Sequence, residues 1–162
     1  MSAAEQPIQN FYNDEAAICY GCGWHNAHGH HIQTCWNGEE GVARFTPEAY
    51  HTAFPGFVYG GLLASLIDCH SMGTAIAHAY QREDRQPGSE PEITYVTGSL
   101  NIRYLRPTPI GVELEIRARV SEWHERKAVV VSSIYADGEE CVHGEVIAIR
   151  VGSRLTMGDQ EQ

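Results

Sequence analysis

The feature that most constrains the fold of this chain is one long segment with helical periodicity. From Gly61 onward, apolar residues recur at intervals of three and four, which predicts a helix that ends near Tyr80. The apolar positions of this stripe are Leu62, Leu63, Leu66, Ile67, Ala75, Ile76 and Ala79. A single helix cannot bury such a stripe by itself, so it must pack against another layer of structure.

The rest of the chain carries strand patterns. Ahead of the helix, HHIQTCWN and GVARFT predict two short strands around a turn at Asn37–Gly38, followed by an irregular, proline-containing stretch. Beyond a polar linker, further strands are predicted at residues 93–105, 112–120, 128–135 and 141–151, and Asp137-Gly138 is a strong hairpin signal. The sequence therefore predicts an α+β fold in which an antiparallel sheet wraps around one long central helix.

Polar and apolar positions alternate within the predicted strand at residues 93–105. This period of two is typical of a strand whose two faces meet different surroundings. The alternation places Val96, Leu100, Ile102 and Tyr104 on one face, and Thr97, Ser99, Asn101 and Arg103 on the other.

Length and charge limit the classes of function. With 162 residues, we expect one domain over residues 1–162: an N-terminal arm and Cys/His-rich loop (1–30), a core (31–151) and a tail (152–162). The formal net charge is -10, without the basic stripe of nucleic-acid-binding proteins. No apolar run is long enough to span a membrane. The N-terminus lacks a signal-peptide pattern, and five cysteines indicate reduced thiols in a cytoplasmic protein.

Three stretches together resemble the PaaI-type branch of the hotdog-fold thioesterase superfamily. They are PGFVYGGLLASLID, VTGSLNIRYLRPTPIG and CYGCGWHNAHG, and the resemblance covers roughly residues 19–151 in the right order. It implies a hotdog fold and a homodimer or dimer of dimers. It also implies hydrolysis of acyl-CoA thioesters without a metal or an organic cofactor.

The resemblance also implies which residues act. The family's glycine pair at the start of the central helix falls on Gly60 and Gly61, and its helix acid, a base or nucleophile, falls on Asp68. The assisting Thr or Ser of the following strand falls on Thr97. One position departs from the pattern, because many relatives carry His before the glycine pair and this chain has Tyr59. Tyrosine can donate a hydrogen bond in the substrate pocket, although its bulk narrows the cleft.

The spacing between the glycines and Asp68 bears on the oligomeric state. Helix N-terminal N–H groups are free to bind an oxyanion, so the Gly61 N–H is the candidate donor for the thioester carbonyl. Seven residues separate Gly61 from Asp68, which is about 10 Å along a helix at ~1.5 Å per residue. One helix can hardly place both groups on one thioester. The spacing therefore favours a site shared between two subunits. The alternatives are a Gly60-Gly61 pair that only fits a crowded turn and a structural, hydrogen-bonded Asp68.

Three further residues are weaker candidates for substrate binding. His51 lies in the loop before the glycine pair, where it could polarise the thioester or lie on the surface. Arg103 and Arg106 could bind CoA phosphates, since arginine binds phosphate through two hydrogen bonds. Solvated arginines at a strand end are an equal alternative.

CYGCGWHNAHGHHIQTC supplies many potential metal ligands. Cys19 and Cys22 have zinc-finger spacing, and further candidates follow, namely His25, His28, His30, His31 and Cys35. The corresponding C-x-x-C-G segment of the resembling family is not a general metal site. We therefore expect a compact loop without a metal, in which the cysteines pack as small apolar residues.

Three functions stay open at this point. The first is an acyl-CoA thioesterase. The second is a non-catalytic acyl-CoA binding or sensing protein on the same fold, which Tyr59 favours and an intact Asp68 and Thr97 disfavour. The third is a hotdog hydratase, but such an enzyme needs a carboxylate–histidine pair, and no motif places one.

Overall fold

The computed structural model describes residues 6–152. Two short 3-10 turns precede a long helix, α1, and six strands. The turns are Ile8–Phe11 and Ala16–Ile18, and the other elements are β1 (Cys35–Trp36), β2 (Gly41–Phe45), α1 (Gly60–Arg82), β3 (Thr94–Tyr104), β4 (Leu114–His124), β5 (Lys127–Ala136) and β6 (Glu139–Val151). The strands form one antiparallel sheet in the order β1-β2-β4-β5-β6-β3. This arrangement confirms the predicted α+β fold.

The core lies between α1 and the sheet. Leu66 and Ile67, near the middle of the helix, have no exposed surface. The facing strands contribute side chains that are equally buried, namely Leu114, Ile116, Val130, Ile134, Val142 and Val146. Burial of each such side chain contributes about 1.5–3 kcal/mol. The apolar stripe read from the sequence is thus the surface that fixes α1 on the sheet.

Two local predictions agree closely with the structure. The helix begins at Gly60 and ends at Arg82, within two residues of the predicted limits. Asp137 and Gly138 both have positive φ, 49° and 79°, as a two-residue turn of type I′ requires. They join β5 to β6. The first strand is shorter than predicted, since β1 spans only Cys35–Trp36.

Strand β3 corrects the predicted alternation. Its pairing with β6 shifts register around Gly98, which is therefore an extra, bulged residue. A bulge exchanges the faces of the side chains that follow it. Thr97 therefore faces α1 and does not share a face with Arg103. Beyond the bulge, Ile102 packs on the core and Tyr104 contacts the start of α1.

The N-terminal segment packs closely on the core. Ile8 and Gln9 are buried, and the Gln9 side-chain oxygen accepts a hydrogen bond from the Thr34 N–H at 2.8 Å. The segment predicted as an arm therefore covers part of α1. The predicted tail falls outside the described residues from position 153 onward, as do residues 1–5. Between residues 6 and 152, no helix has both the length and the apolar character of a membrane span.

Candidate active site

The structure brings Asp68 and Thr97 together. Asp68 directly follows the buried Leu66–Ile67 pair of α1, and Thr97, just before the bulge at Gly98, faces it. The Thr97 hydroxyl donates a hydrogen bond to Oδ1 of Asp68. Of the described residues, none other donates a hydrogen bond to this carboxylate. Oδ2 accepts no hydrogen bond from the described residues.

Asp68 and Thr97 line a cavity of about 300 Å³. Its walls come from α1, from the start of β3 and from the N-terminal segment, which contributes Phe11, Tyr12 and Cys19. Most of the lining is apolar, so Asp68 is one of few carboxylates there. Pockets for small organic ligands combine such apolar walls with a few placed polar groups.

The electrostatics of the cavity favour a basic carboxylate. Burial raises the pKa of Asp68 above its usual value, and the negative charge of the nearby Cys19 thiolate raises it further. The Thr97 hydrogen bond acts in the opposite direction, because it stabilises the ionised form. A carboxylate whose pKa lies above normal accepts a proton more readily than an exposed one, which suits a general base.

The glycine pair lies at the N-terminus of α1, as predicted. Gly60 is the first residue of the helix, and its N-cap residue, Tyr59, provides no side-chain hydrogen bond. The first N–H groups of a helix have no acceptor within the helix, so Gly61 can offer its N–H to a ligand. Tyr104 donates from its hydroxyl to the Gly60 carbonyl at 2.7 Å, which ties the end of β3 to the helix start.

Gly61 lines a second cavity, of about 340 Å³, together with Tyr59 and His51. The Tyr59 N–H donates to the His51 carbonyl at 2.8 Å, which holds the loop against the helix. The His51 Nδ1 accepts the Glu48 N–H at 2.9 Å. The Tyr59 ring lies over Gly61, since an added Cβ would come within 2.4 Å of it. A side chain at this position would displace the exposed Tyr59 ring.

Gly61 and Asp68 thus line different cavities of the same chain. Their separation along α1 is about 10 Å, as the helical rise requires.

The two arginines differ in their surroundings. Arg106 pairs with Glu139, with 2.6 Å between Nη1 and the carboxylate. Arg103 is exposed on β3, where its charge adds to the hydrogen bond from Ser133 that lowers the pKa of Glu140. Neither arginine lines the cavity that holds Asp68.

The structure adds one residue to the cysteine pair that the sequence singled out. Cys69 lies beside Cys19 and Cys22, and the three sulfur atoms lie within 4.8 Å of one another. The histidines of the same stretch lie elsewhere: Nε2 of His31 is 2.6 Å from the Asn26 carbonyl. Nothing in the local sequence pattern singles out Cys69, because its contact with Cys19 joins residues 50 positions apart in the chain.

Comparison with known proteins decides the family. A family model described as the thioesterase superfamily matches residues 55–143, a range that contains the glycine pair, Asp68 and Thr97. This chain belongs to the thioesterase superfamily. The assignment to its PaaI-type branch stays a prediction. There is no significant match among curated proteins.

Solved structures similar to this chain confirm the hotdog fold. A thioesterase superfamily protein from Shewanella loihica is 43% identical, over 77% of this chain and 95% of its own, with a TM-score of 0.62. A thioesterase from Haemophilus influenzae is 16% identical over 78% of this chain and 82% of its own, with a TM-score of 0.63. A Streptococcus mutans protein bound to acetyl CoA is 18% identical over 76% of this chain and 90% of its own, with a TM-score of 0.61. The last two identities are low and show the fold alone.

Proposed function

We propose that this protein hydrolyses acyl-CoA thioesters to a free acid and coenzyme A, with Asp68 as the general base or nucleophile. The observation that carries the proposal is the Asp68 carboxylate itself. It lies in an apolar cavity, Thr97 fixes one of its oxygens, and burial raises its pKa. Membership of the thioesterase superfamily supports the reaction. The acetyl CoA bound to the Streptococcus mutans protein of the same fold supports the substrate class.

As a base, Asp68 would accept a proton from a water molecule through Oδ2. The water oxygen adds to the thioester carbonyl, and negative charge develops on the carbonyl oxygen. When this intermediate collapses, the C–S bond breaks and coenzyme A leaves as a thiolate, which takes up the proton. Thr97 keeps the carboxylate oriented during the transfer.

Stabilising the carbonyl oxygen is the role we propose for the Gly61 N–H. Because Gly61 and Asp68 line separate cavities, the proposal requires a homodimer or a dimer of dimers. Gly61 of one subunit then faces Asp68 of the other across antiparallel helices. Arg103, exposed on β3, is our candidate for the CoA phosphates, since Glu139 engages Arg106.

A second function, acyl-CoA binding without hydrolysis, has one specific observation in its favour. The Tyr59 ring covers the Gly61 side of the helix start, where the carbonyl oxygen would have to approach. Measuring acyl-CoA binding and thiol release together, in the wild type and in Tyr59→Ala, distinguishes the two functions, and the variant shows whether an absence of release comes only from the covering ring. A binding protein binds the ester and releases no coenzyme A in either form. A thioesterase releases it before and after the ring is removed.

The substitution Asp68→Asn tests the catalytic role directly. Asparagine keeps the shape of the side chain and removes its charge, so thiol release should fall by about 10²-fold or more. Affinity for a non-hydrolysable CoA analogue should change little, because the charge acts mainly in the transition state. Asp14→Asn is the matched control, since the Asp14 side chain is 98% exposed. A purely structural Asp68 would instead give lower thermal stability with activity proportional to the folded fraction.

Mixed dimers test the shared site. An Asp68→Asn subunit combined with a Gly61→Pro subunit, which lacks the proposed N–H donor, puts both defects in one of the two sites. The other site is intact if the groups come from different subunits. Roughly half of the wild-type activity should then return, because one of two oxyanion sites keeps all its parts. Heterodimers that form and stay inactive would exclude the trans arrangement.

A further inference from the structure

Three cysteines from two distant segments of the chain, the N-terminal loop and α1, place their sulfurs at one wall of the Asp68 cavity. Sγ of Cys19 lies 3.8 Å from Sγ of Cys69, and Sγ of Cys22 lies within 4.8 Å of both. Two thiolates bound at about 2.3 Å to one tetrahedral Zn²⁺ are themselves about 3.8 Å apart. A disulfide needs its sulfurs at about 2.05 Å. The spacing therefore fits an ion held between the sulfurs.

The loop that carries Cys19 and Cys22 is shaped around these sulfurs. The Gly23 N–H donates to the Cys19 carbonyl at 2.8 Å and closes the loop. A Cβ on Gly21 would lie 2.1 Å from Sγ of Cys69, so only glycine lets the loop backbone approach α1 this closely. The close approach at Gly21 brings the loop that carries Cys19 and Cys22 against Cys69 on α1.

The protonation states of the three thiols differ. Hydrogen bonds from the Cys22 and Cys69 thiols lower the pKa of Cys19 far below its usual value. The hydrogen bond to Cys19 raises the pKa of Cys22 to about 12, and the same partner raises that of Cys69. A divalent ion bound by all three sulfurs would need each of them as a thiolate, and the thiol protons would be released to solvent.

We propose that Cys19, Cys22 and Cys69 form a three-thiolate binding site for Zn²⁺. Soft thiolate ligands select Zn²⁺ over hard ions such as Mg²⁺ and Ca²⁺. Three protein ligands leave one tetrahedral position. All three cysteines line the cavity that holds Asp68, so a water from this cavity takes the fourth position. The proposal replaces the sequence-based expectation of a metal-free loop, which considered only ligands within residues 19–35. It does not depend on thioester hydrolysis.

Metal content tests the proposal on the full chain. The protein is reduced, incubated with Zn²⁺, freed of unbound ion and analysed by elemental mass spectrometry, with about one zinc expected per chain. Replacing Zn²⁺ by Co²⁺ should give visible absorption typical of tetrahedral cobalt and an intense near-ultraviolet band from thiolate-to-cobalt charge transfer. A chelator should lower the melting temperature of the zinc-loaded protein, because the ion binds the folded state.

Matched variants separate the cluster from other thiols. Cys22→Ser and Cys69→Ser should lose stoichiometric zinc, whereas Cys35→Ser, on β1 outside the cluster, should keep it. Circular dichroism checks that each variant is folded, and the cobalt spectrum of the wild type gives an answer that needs no variant. Reduced wild-type protein that takes up less than about a tenth of an equivalent of zinc would overturn the proposal. A disulfide in unreduced protein, combined with no metal uptake after reduction, would make the cluster a redox pair and overturn it as well.

Discussion

Replacing His70 tests the buried polar network that fixes the middle of α1. The imidazole is fully buried, with Nδ1 2.9 Å from Oγ1 of Thr34 and Nε2 3.0 Å from the carbonyl oxygen of Gly41. Because a carbonyl only accepts, Nε2 carries the proton and Nδ1 accepts the Thr34 hydroxyl. The neutral ring thus forms hydrogen bonds with both Thr34 and Gly41. Burial lowers the pKa of His70 to about 4.

The direction of the pH effect follows from the state that binds more protons. The pKa of His70 is lowered from 6.5 to about 4 in the folded protein, so between these values the unfolded chain binds more protons. The contribution to stability is complete above the unfolded pKa and is lost as the pH falls through the folded pKa. At 1.36 kcal/mol per pKa unit, the free energy of unfolding should fall by about 2 kcal/mol at pH 5 and about 3 kcal/mol at pH 4.

Urea unfolding of the wild type and His70→Gln, at one protein concentration and between about pH 7.5 and pH 5, measures this loss. Glutamine keeps an N–H for the Gly41 carbonyl but does not titrate. The variant should therefore be less stable at the upper pH and should lose about 2 kcal/mol less on acidification. Other titrating groups, including Asp68, are common to both proteins and cancel in the difference. Parallel stability curves for the two proteins would refute the reasoning.

Two further substitutions test the electrostatics of the fold and the site. Thr97→Val removes the hydroxyl that lowers the pKa of Asp68, so the acid limb of the pH–rate profile should move to higher pH. Thr97→Ser keeps a hydroxyl and should leave the acid limb in place. An unmoved limb in Thr97→Val would contradict the hydrogen bond between Thr97 and Asp68. Glu40→Gln weakens the ion pairs with Arg117 and Arg119. The free energy of unfolding at neutral pH should fall by only about 1 kcal/mol, because both guanidinium groups are partly exposed to solvent. Arg117 lowers the pKa of Glu40, so urea unfolding should show this deficit shrinking as the pH falls below the normal range of Glu; a deficit independent of pH would count against the ion pairs.

The sequence by itself determined the elements whose signals are local. The apolar stripe of α1 repeats with the period of a helix, and the glycine pair marks its start, so the helix could be placed within two residues. Asp137-Gly138 specifies its hairpin because the turn needs positive φ at both positions. A lone amphipathic helix among strands then leaves few arrangements other than a sheet packed on the helix.

The side of β3 on which Thr97 lies was decided by the pairing of strands. Alternation alone grouped Thr97 with Arg103, whereas the bulge at Gly98 turns Thr97 toward Asp68. A glycine inside a strand is a known sign of a bulge. Its position in the register, however, depends on contacts with β6, where a Cβ on Gly98 would come within 2.7 Å of Ile149.

The composition of the two cavities was decided by the tertiary structure alone. Cys19 and Cys69 are 50 residues apart in the chain, and their sulfurs meet only because the N-terminal loop folds onto α1. The same packing encloses Asp68 and raises its pKa. Gly61 lies on the same helix but lines a different cavity, because the helical rise carries Asp68 about 10 Å further along the axis. Residue spacing fixes distances within one helix, whereas the neighbours that set burial and charge come from contacts between distant segments.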